Sequence, residues 1–324
     1  MKIRLSAALF FLLITSFLTT SASWSQGYPN KPVKIVVGFV AGGAPDFVAR
    51  ALSNSFSEQL GQSFFVDNKP GAGGSLSTAF VAKSPADGST LLLADTATLM
   101  LAPHLFKSAP MDTMKDFSPI GMITTEPLLI VSNAKTGIKS LNELIRIVKA
   151  NPGKLSYGSS GVGSIHHISM EVFKSGAGLD ITHIPFKGSG QSILAVVAGD
   201  VPLSITAFSS AGPHITSGAL NLLAVTSSQR VPTYPDVPSI SEVVKDYDYV
   251  ASFGLLAPIG TSNEVISKLS RALKITAESR EFNEKFKGQS TLVKWTSPED
   301  YKEYLRINQQ KYERAANDVN LQPN

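Results

Sequence analysis

The chain contains no cysteine, and this absence excludes several kinds of chemistry. Disulfide bonds, thiol nucleophiles and thiolate metal ligands all need cysteine, so a hydrophobic core must hold the fold together without them. An excess of one charge is also missing, because 29 lysines and arginines stand against 25 aspartates and glutamates. A surface of nearly balanced charge gives no reason to expect a nucleic-acid partner. We also expect a monomer without cofactor or metal ion.

Long apolar runs are missing as well, except near the N-terminus. Residues 1–25 combine a basic start, "MKIRL", an apolar segment, "SAALFFLLITSFL", and small residues in "TTSASWSQ". This order is typical of a secretory signal peptide, and the apolar segment is shorter than the roughly 20 residues of a membrane span. We therefore predict export from the cytoplasm, with cleavage near Ser23 or Ser25. Cleavage would remove Lys2 and Arg4 and lower the net charge of +4 by two.

Short apolar runs typical of β-strands alternate with helical patterns along the rest of the chain. "VKIVVGFV" at 33–40 has the composition of a buried strand, and apolar residues then recur every four positions from Val48 to Leu60. This spacing predicts a helix that ends at Gly61, because glycine commonly follows the last helical residue. The alternation predicts an α/β fold built on mostly parallel sheets.

The strand–helix pattern starts again after a predicted helix at 140–153, which ends in Asn-Pro-Gly. Two extended segments, near 124–132 and 248–256, would carry the chain between two halves. We therefore predict two lobes, each with an open, mostly parallel sheet, and a cleft between them that suits hinge closure on a small ligand. The predicted first domain comprises 26–125 and 251–324, and the second comprises 126–250.

The stretch "GFVAGGAPDFVAR" has two adjacent glycines, which lack side chains, where a predicted strand meets a predicted helix. Pro45 takes a position where a helix can begin without an N–H, and Asp46 falls in the first turn. The N–H groups of residues 42–44 would then face the cleft as a cradle for an anion. A tight turn that simply needs glycine explains the same residues equally well.

A second loop rich in glycine and serine, "YGSSGVGS" at 157–164, repeats this arrangement, with Ser164 as a natural helix N-cap. If both loops line the cleft, two helix N-termini meet there and favour capture of a carboxylate or a phosphate. Phosphate fits less well, because few basic residues flank either loop and the Gly-x-x-x-x-Gly-Lys-Ser/Thr motif is absent. A third glycine turn, "NKPGAGGS" at 68–75, either contacts the ligand or is a loop shaped by Pro70. Thr96, at the end of a predicted strand, is a candidate donor.

The histidines do not form a recognisable metal or catalytic motif. His166 and His167 are adjacent, so on a helix their side chains diverge by about 100° and cannot share a metal ion. We expect one of them to be packed and the other to be solvated or near the cleft. The remaining histidines, which we interpret as structural, are His104, His183 and His214.

Six motifs occur in an order that resembles the Bug receptors, the periplasmic binding proteins of tripartite tricarboxylate transporters. The resemblance extends over essentially the whole chain after residue 25. It implies a two-lobed periplasmic binding protein of the class II type, without catalytic activity, that delivers a carboxylate to membrane permease subunits. The motifs are "YPNKPVKIVVGFVAGGAPDFVAR", "VDNKPGAGG", "DGSTLLLADT", "LSYGSSGVGSIHH", "HIPFKGS" and "FGLLAPIGT".

The resemblance also implies a set of ligand-binding residues and shows where this chain departs from the family. Pro45 replaces a common threonine or serine, Val40-Ala41 replaces prolines, and Thr206 stands where many members have aspartate. The missing carboxylate at Thr206 would disfavour ligands with an ammonium group, such as amino acids. The implied binding residues are Gly42, Gly43, Ala44 and Asp46 in the first loop, Ser159, Ser160, Gly161, Gly163 and Ser164 in the second, His167 at the family's usual histidine, and Asn68, Thr96, Thr206 and Phe253.

The predicted function is therefore an exported receptor for an organic acid, with two or three carboxylates or an aromatic ring. About four charge-assisted hydrogen bonds supply roughly 6–12 kcal/mol. Immobilising the ligand costs roughly 4–15 kcal/mol, so the rest of the ligand must contribute to affinity. Two alternatives stay open: a sensory binding protein that signals to a sensor kinase, and, less favoured, an exported hydrolase. Against a hydrolase, the chain has no Gly-x-Ser-x-Gly motif: in "GSSGV", Val162 stands where the last glycine of the motif would be.

Overall fold

The computed structural model describes residues 27–105, 112–288 and 290–319, with the side chains of 102–105 left out. The predicted signal peptide and its cleavage sites lie outside these ranges, as does the side chain of His104. The strands, in chain order, are β1 (Val33–Val37), β2 (Phe64–Asn68), β3 (Thr90–Asp95), β4 (Phe117–Pro127), β5 (Leu129–Asn133), β6 (Ser156–Ser159), β7 (Thr182–Pro185), β8 (Leu203–Thr206), β9 (Leu220–Val225), β10 (Val250–Pro258) and β11 (Leu292–Val293).

Helices connect these strands and pack against the sheets. The α-helices are α1 (Ala44–Leu60), α2 (Ser75–Ala82), α3 (Thr96–Leu105), α4 (Thr113–Asp116), α5 (Leu141–Ala150), α6 (Ile165–Ala177), α7 (Ser189–Ala198), α8 (Phe208–Thr216), α9 (Asn263–Glu278), α10 (Arg280–Glu284) and α11 (Pro298–Asp318). Short 3₁₀ turns occupy Ala72–Gly74, Ala134–Thr136 and Ile240–Glu242. No helix of the described ranges is both long enough and apolar enough to cross a lipid bilayer.

The strands form two separate sheets, which define two lobes. The sheet of the first lobe has the order β11-β4-β10-β3-β1-β2, and that of the second has the order β7-β6-β8-β5-β9. The chain leaves the first sheet at Pro127, enters the second at Leu129 and returns to the first at Val250. The predicted α/β fold with two lobes is confirmed, whereas the exact domain boundaries stay a prediction.

Both sheets are mixed, so the expectation of mostly parallel sheets is wrong in this respect. β1 is parallel to β2 and β3, but β10 is antiparallel to β3 and β4. In the second lobe, β6 is parallel to β7 and β8, but β5 is antiparallel to β8 and β9. The direction of β10 follows from the crossing, because the chain comes back from the second lobe and enters the first sheet from the opposite end to β4.

The first strand–helix unit shows how the sequence positions the cleft. The side chains of Val48, Leu52 and Phe56 are at most 2% exposed and pack towards the sheet. Helix α1 ends as predicted at Gly61, which has the left-handed φ of +68° that favours glycine. Because the other end of α1 directly follows β1, the loop before Ala44 lies at the edge of the sheet that faces the second lobe.

Candidate functional site

A cavity lies between the two lobes, where strand ends and helix N-termini meet. Its described walls contain no lysine or arginine, although they include one carboxyl group and one imidazole. The first lobe contributes Phe39, Val40, Gly43, Pro45, Asp95 and Phe253, and the second contributes Ser160, Ile165, His166, Gly188 and Ser189.

Asp46 organises the first glycine loop. Its Oδ2 accepts hydrogen bonds from the N–H of Gly42 at 3.1 Å and from Arg50 Nε at 2.9 Å, and its Oδ1 accepts one from Asn68 Nδ2 at 3.0 Å. Burial alone would raise the pKa of Asp46, but these hydrogen bonds outweigh it and lower the pKa. Asp46 and Asn68 therefore support the loop rather than line the cavity.

The N–H groups of this loop divide into two kinds. The N–H of Gly42 is already bonded to Asp46, so the prediction that it is free to bind an anion is wrong for this structure. The N–H groups of Gly43 and Ala44 have no acceptor among the described residues, and Gly43 lines the cavity. They belong to the N-terminus of α1, which carries a partial positive charge. An anion in the cavity can be received there.

Three histidines hold the second glycine loop in place, and each bonds a different loop residue. The N–H of Gly163 donates to His167 Nδ1, so that group is not available to a ligand. The N–H of Gly161 is likewise taken, since it donates to Ser159 Oγ at 3.0 Å. The histidine bonds are Ser159 Oγ to His183 Nε2 at 2.6 Å, Ser160 Oγ to His166 Nδ1 at 2.7 Å, and Gly163 N to His167 Nδ1 at 3.2 Å.

His167 lies beneath the loop, away from the cavity walls. Its ring stacks on that of His183 with centroids 4.1 Å apart, and His183 also stacks on Tyr157. Burial lowers the pKa of His167 to about 4 and that of His183 to about 3, so both rings are neutral near pH 7. The helix begins as predicted, because Ser164 Oγ accepts the N–H of His167 at 3.3 Å.

His166, rather than its neighbour, reaches the cavity. The side chain is on α6 and is only 8% exposed, and its Nε2 has no hydrogen-bond partner among the described residues. Burial lowers the pKa of His166 to about 4. We expected one of the two adjacent histidines to be packed and the other to be solvated or near the cleft, and the resemblance implied His167 as the binding residue. Both rings are buried, and it is His166 rather than His167 that lines the cavity.

Asp95 is the carboxyl group of the cavity wall, and the sequence analysis missed it. It ends β3, is 2% exposed and accepts hydrogen bonds from Thr98 N at 3.0 Å and Thr98 Oγ1 at 2.6 Å. Burial raises its pKa despite these bonds. The neighbouring Thr96, which we had proposed as a donor, is fully buried next to Ser252 and does not line this cavity. Thr96 was proposed because it stands at the end of a predicted strand, and the same reasoning applies to Asp95.

The residues proposed from the sequence thus fall into three groups. Some line the cavity, some support the loops that do, and some lie elsewhere. The lining group is Gly43, Ser160 and Phe253, and the supporting group is Gly42, Asp46, Asn68, Ser159, Gly161, Gly163, Ser164 and His167. Outside the described lining are Ala44, whose N–H lies at the helix end, Thr96, and Thr206, which is fully buried and whose Oγ1 has no partner among the described residues.

The third glycine turn brings the lobes into direct contact. Gly73 has a left-handed φ of +60°, and an added Cβ there would overlap the carbonyl oxygen of Val162 in the other lobe. On the opposite wall, an added Cβ at Gly188 would lie 2.8 Å from Val40 Cγ2. The turn was predicted either to touch a ligand or to be shaped by Pro70; the structure shows a close approach of one lobe to the other.

Two mixed sheets, a chain that crosses twice and a cavity between the lobes define a periplasmic binding protein fold. Residues 48–321 match the model of the tripartite tricarboxylate transporter family receptor, TctC. The chain is similar to the protein BugT of Bordetella pertussis, with 34% identity over 305 residues that cover 93% of each chain. The chain therefore belongs to this receptor family.

Solved structures agree with this assignment. The fold is similar to that of the periplasmic binding protein BugD, with a TM-score of 0.87 and 30% identity. It is equally similar to Rpa4515 of R. palustris, whose structure contains adipate, again with a TM-score of 0.87 and 30% identity. Each comparison covers 92% of this chain and 100% of the other.

Proposed function

We propose that this receptor binds an organic dicarboxylate in the cavity between its lobes and delivers it to the membrane permease of a tripartite transporter. The observation that carries the proposal is the N-terminus of α1. There, the N–H groups of Gly43 and Ala44 have no acceptor among the residues that the structure describes, and Gly43 opens onto the cavity. Peptide N–H groups at a helix start bind carboxylates without a basic side chain.

The surroundings of the cavity support a carboxylate ligand. No lysine or arginine of the described walls competes for it, so the peptide dipoles are the main positive groups that face the space. Inside a cavity that excludes water, such dipoles act more strongly than they do in solution. The similar protein Rpa4515 was solved with adipate, a dicarboxylate.

The pair of Ser160 and His166 deserves comparison with a hydrolase site, because their 2.7 Å contact resembles a nucleophile and its base. A base of this kind needs a third group that orients its other ring nitrogen. In the described residues, Nε2 of His166 has no such partner, and burial lowers the pKa of the ring to about 4. The pair therefore supports binding better than hydrolysis.

Export of the chain is part of this proposal. The N-terminal 25 residues have the pattern of a signal peptide, and the matched fold is that of periplasmic receptors. N-terminal sequencing of the protein recovered from the periplasm tests this: a first residue near position 24 or 26 is expected. A chain that keeps Met1 in the cytoplasmic fraction would contradict export.

A ligand screen tests the binding function directly. The mature protein is titrated with succinate, malate, adipate, citrate, benzoate and aspartate, first by thermal shift and then by calorimetry. We expect dicarboxylates to raise the melting temperature and aspartate, with its ammonium group, to have a smaller effect. A receptor that responds to none of the acids would contradict the proposed function. Pulldown of a permease subunit or of a sensor kinase would then separate a transport receptor from a sensory one.

A further inference from the structure

His166 has a buried polar atom that no described residue of the protein satisfies. The side chain is 8% exposed, Nδ1 lies 2.7 Å from Ser160 Oγ, and Nε2 has no partner in the described part of the chain. Native proteins rarely leave a buried ring nitrogen unpaired. Because His166 lines the cavity between the lobes, a bound molecule is the natural partner of Nε2.

The contact with Ser160 allows the proton of the neutral His166 ring to lie on Nε2. A hydroxyl can rotate and donate, so Ser160 Oγ–H can donate to Nδ1 and leave the proton of the neutral ring on Nε2. The ring then presents an N–H donor to the cavity. Its partner would be an acceptor oxygen, as found in a carboxylate, and not an ammonium group.

The two polar features of the cavity come from different lobes. The helix N-terminus at Gly43 belongs to the first lobe, and His166 belongs to the second. A ligand that fills the space can therefore contact the peptide N–H groups with one end and His166 with the other. Asp95 is the other titratable group of the described walls, and both its oxygens already accept hydrogen bonds from Thr98.

We propose that His166 is a specificity-determining residue, whose Nε2–H donates a hydrogen bond to the second carboxylate of the ligand and so selects dicarboxylates over monocarboxylates. The inference rests on the proposed function of the same cavity. A hydrogen bond to a charged acceptor corresponds to roughly a tenfold to hundredfold preference.

Matched pairs of acids test this selection. Binding of succinate and butyrate, and of adipate and hexanoate, is measured by calorimetry with the mature protein and with His166→Leu and His166→Gln. Within each pair the chain length is equal and only the second carboxylate differs. We expect the wild type to prefer at least one diacid by tenfold or more, and His166→Leu to reduce that preference to less than about threefold.

The variants separate a specific role from a structural one. His166→Gln keeps an N–H donor and should restore part of the preference, whereas a merely structural role would lower the affinity for both acids of a pair equally. His214→Leu, at a partly exposed histidine of α8 outside the cavity lining, serves as the matched control. Melting curves of all variants establish that each is folded.

A second measurement does not depend on substitution. Long-range proton–nitrogen NMR spectra of the wild type, assigned with His166→Leu, should show the Nε2–H tautomer and a shift of that nitrogen when adipate or succinate is added. A diacid preference that persists in His166→Leu, or an Nδ1–H tautomer in the saturated protein, would overturn the inference and leave the proposed function standing. Failure of these four acids, and of every acid in the ligand screen, to bind the wild type would overturn both.

Discussion

Gly73 and Val162 face each other across the cleft so closely that the first has no room for a side chain. The contact joins a turn of the first lobe to the second glycine loop. This contact explains why the chain has glycine at position 73, which has no direct role in holding an anion. A binding protein that closes on its ligand must bring the two lobes together, and bare backbone allows a closer approach than any side chain would.

Substitution of Gly73 by alanine should weaken ligand binding by at least about tenfold. The new Cβ would meet the oxygen of Val162 and keep the lobes apart, and the left-handed φ adds a strain of roughly 1–2 kcal/mol. Calorimetry with adipate and small-angle scattering measure the two effects. Gly137→Ala is the matched control, because Gly137 has a φ of +73° but no neighbour within 4 Å of an added Cβ. Equal loss of affinity in both variants would contradict the explanation.

Gly43→Val should abolish measurable binding and leave the fold intact. An added Cβ would lie 3.2 Å from Ser189 Oγ, and the two methyl groups would occupy the space beside the free N–H groups of α1. Gly43 has a φ of −94°, so valine causes little backbone strain. Calorimetry and melting curves, with Gly27→Val as a control at a site without neighbours, provide the test. Unchanged affinity would exclude the first loop from the site.

Asp46→Asn should lower the affinity for the ligand about fivefold to tenfold, although it adds no group to the cavity. The amide would replace one of the carboxylate oxygens that accept from Gly42, Arg50 and Asn68, and it would place an N–H group opposite a donor. The loop should then be less well ordered, which hydrogen exchange at Gly42 and Gly43 can measure. Asp200→Asn, an exposed substitution of the same kind, should have no effect on either quantity.

Glu126 should make the stability of the protein depend on pH. It lies next to the crossing at Pro127 and is 4% exposed, and its Oε2 accepts a hydrogen bond from Thr291 Oγ1 at 2.8 Å. Burial raises the pKa of Glu126 from 4.5 to about 7, so the folded state holds its proton more tightly than the unfolded state does. Its contribution to stability is therefore complete below pH 4.5 and is lost as the pH rises through 7.

The test compares Glu126→Gln with the wild type by urea unfolding between pH 4 and pH 8. Glutamine keeps the acceptor for Thr291 and cannot ionise, so the variant should match the wild type at pH 4 and exceed it by up to about 3 kcal/mol at pH 8. Glu264→Gln, at an exposed site, is the control. A difference between variant and wild type that does not change with pH would refute the assignment.

The architecture was predictable because it depends on local patterns. The four-residue spacing from Val48 to Leu60 and the stop at Gly61 gave α1 within a few residues of its observed start at Ala44. Strand direction was less accessible, since β10 owes its antiparallel pairing to the path of the chain through the other lobe. The local amino-acid composition does not determine the path of the chain through the other lobe.

The site was predictable only in outline for a related reason. Glycine and serine marked both loops, but which N–H groups remain free depends on the three-dimensional partners of each. The N–H of Gly42 donates to Asp46, and the N–H of Gly163 donates to His167, so neither is free for a ligand. Likewise, His166 and His167 differ by one position, and only the orientation of α6 decides which ring reaches the cavity.

The absence of basic side chains from the described cavity walls has a consequence for how such receptors can diversify. In the proposed site, one end of the ligand is held by the main chain at the start of α1, which substitutions at His166 in the second lobe leave in place. The opposite wall is then free to vary, so a new nutrient can be adopted by exchanging a single imidazole while the capture of the first acid group continues unchanged.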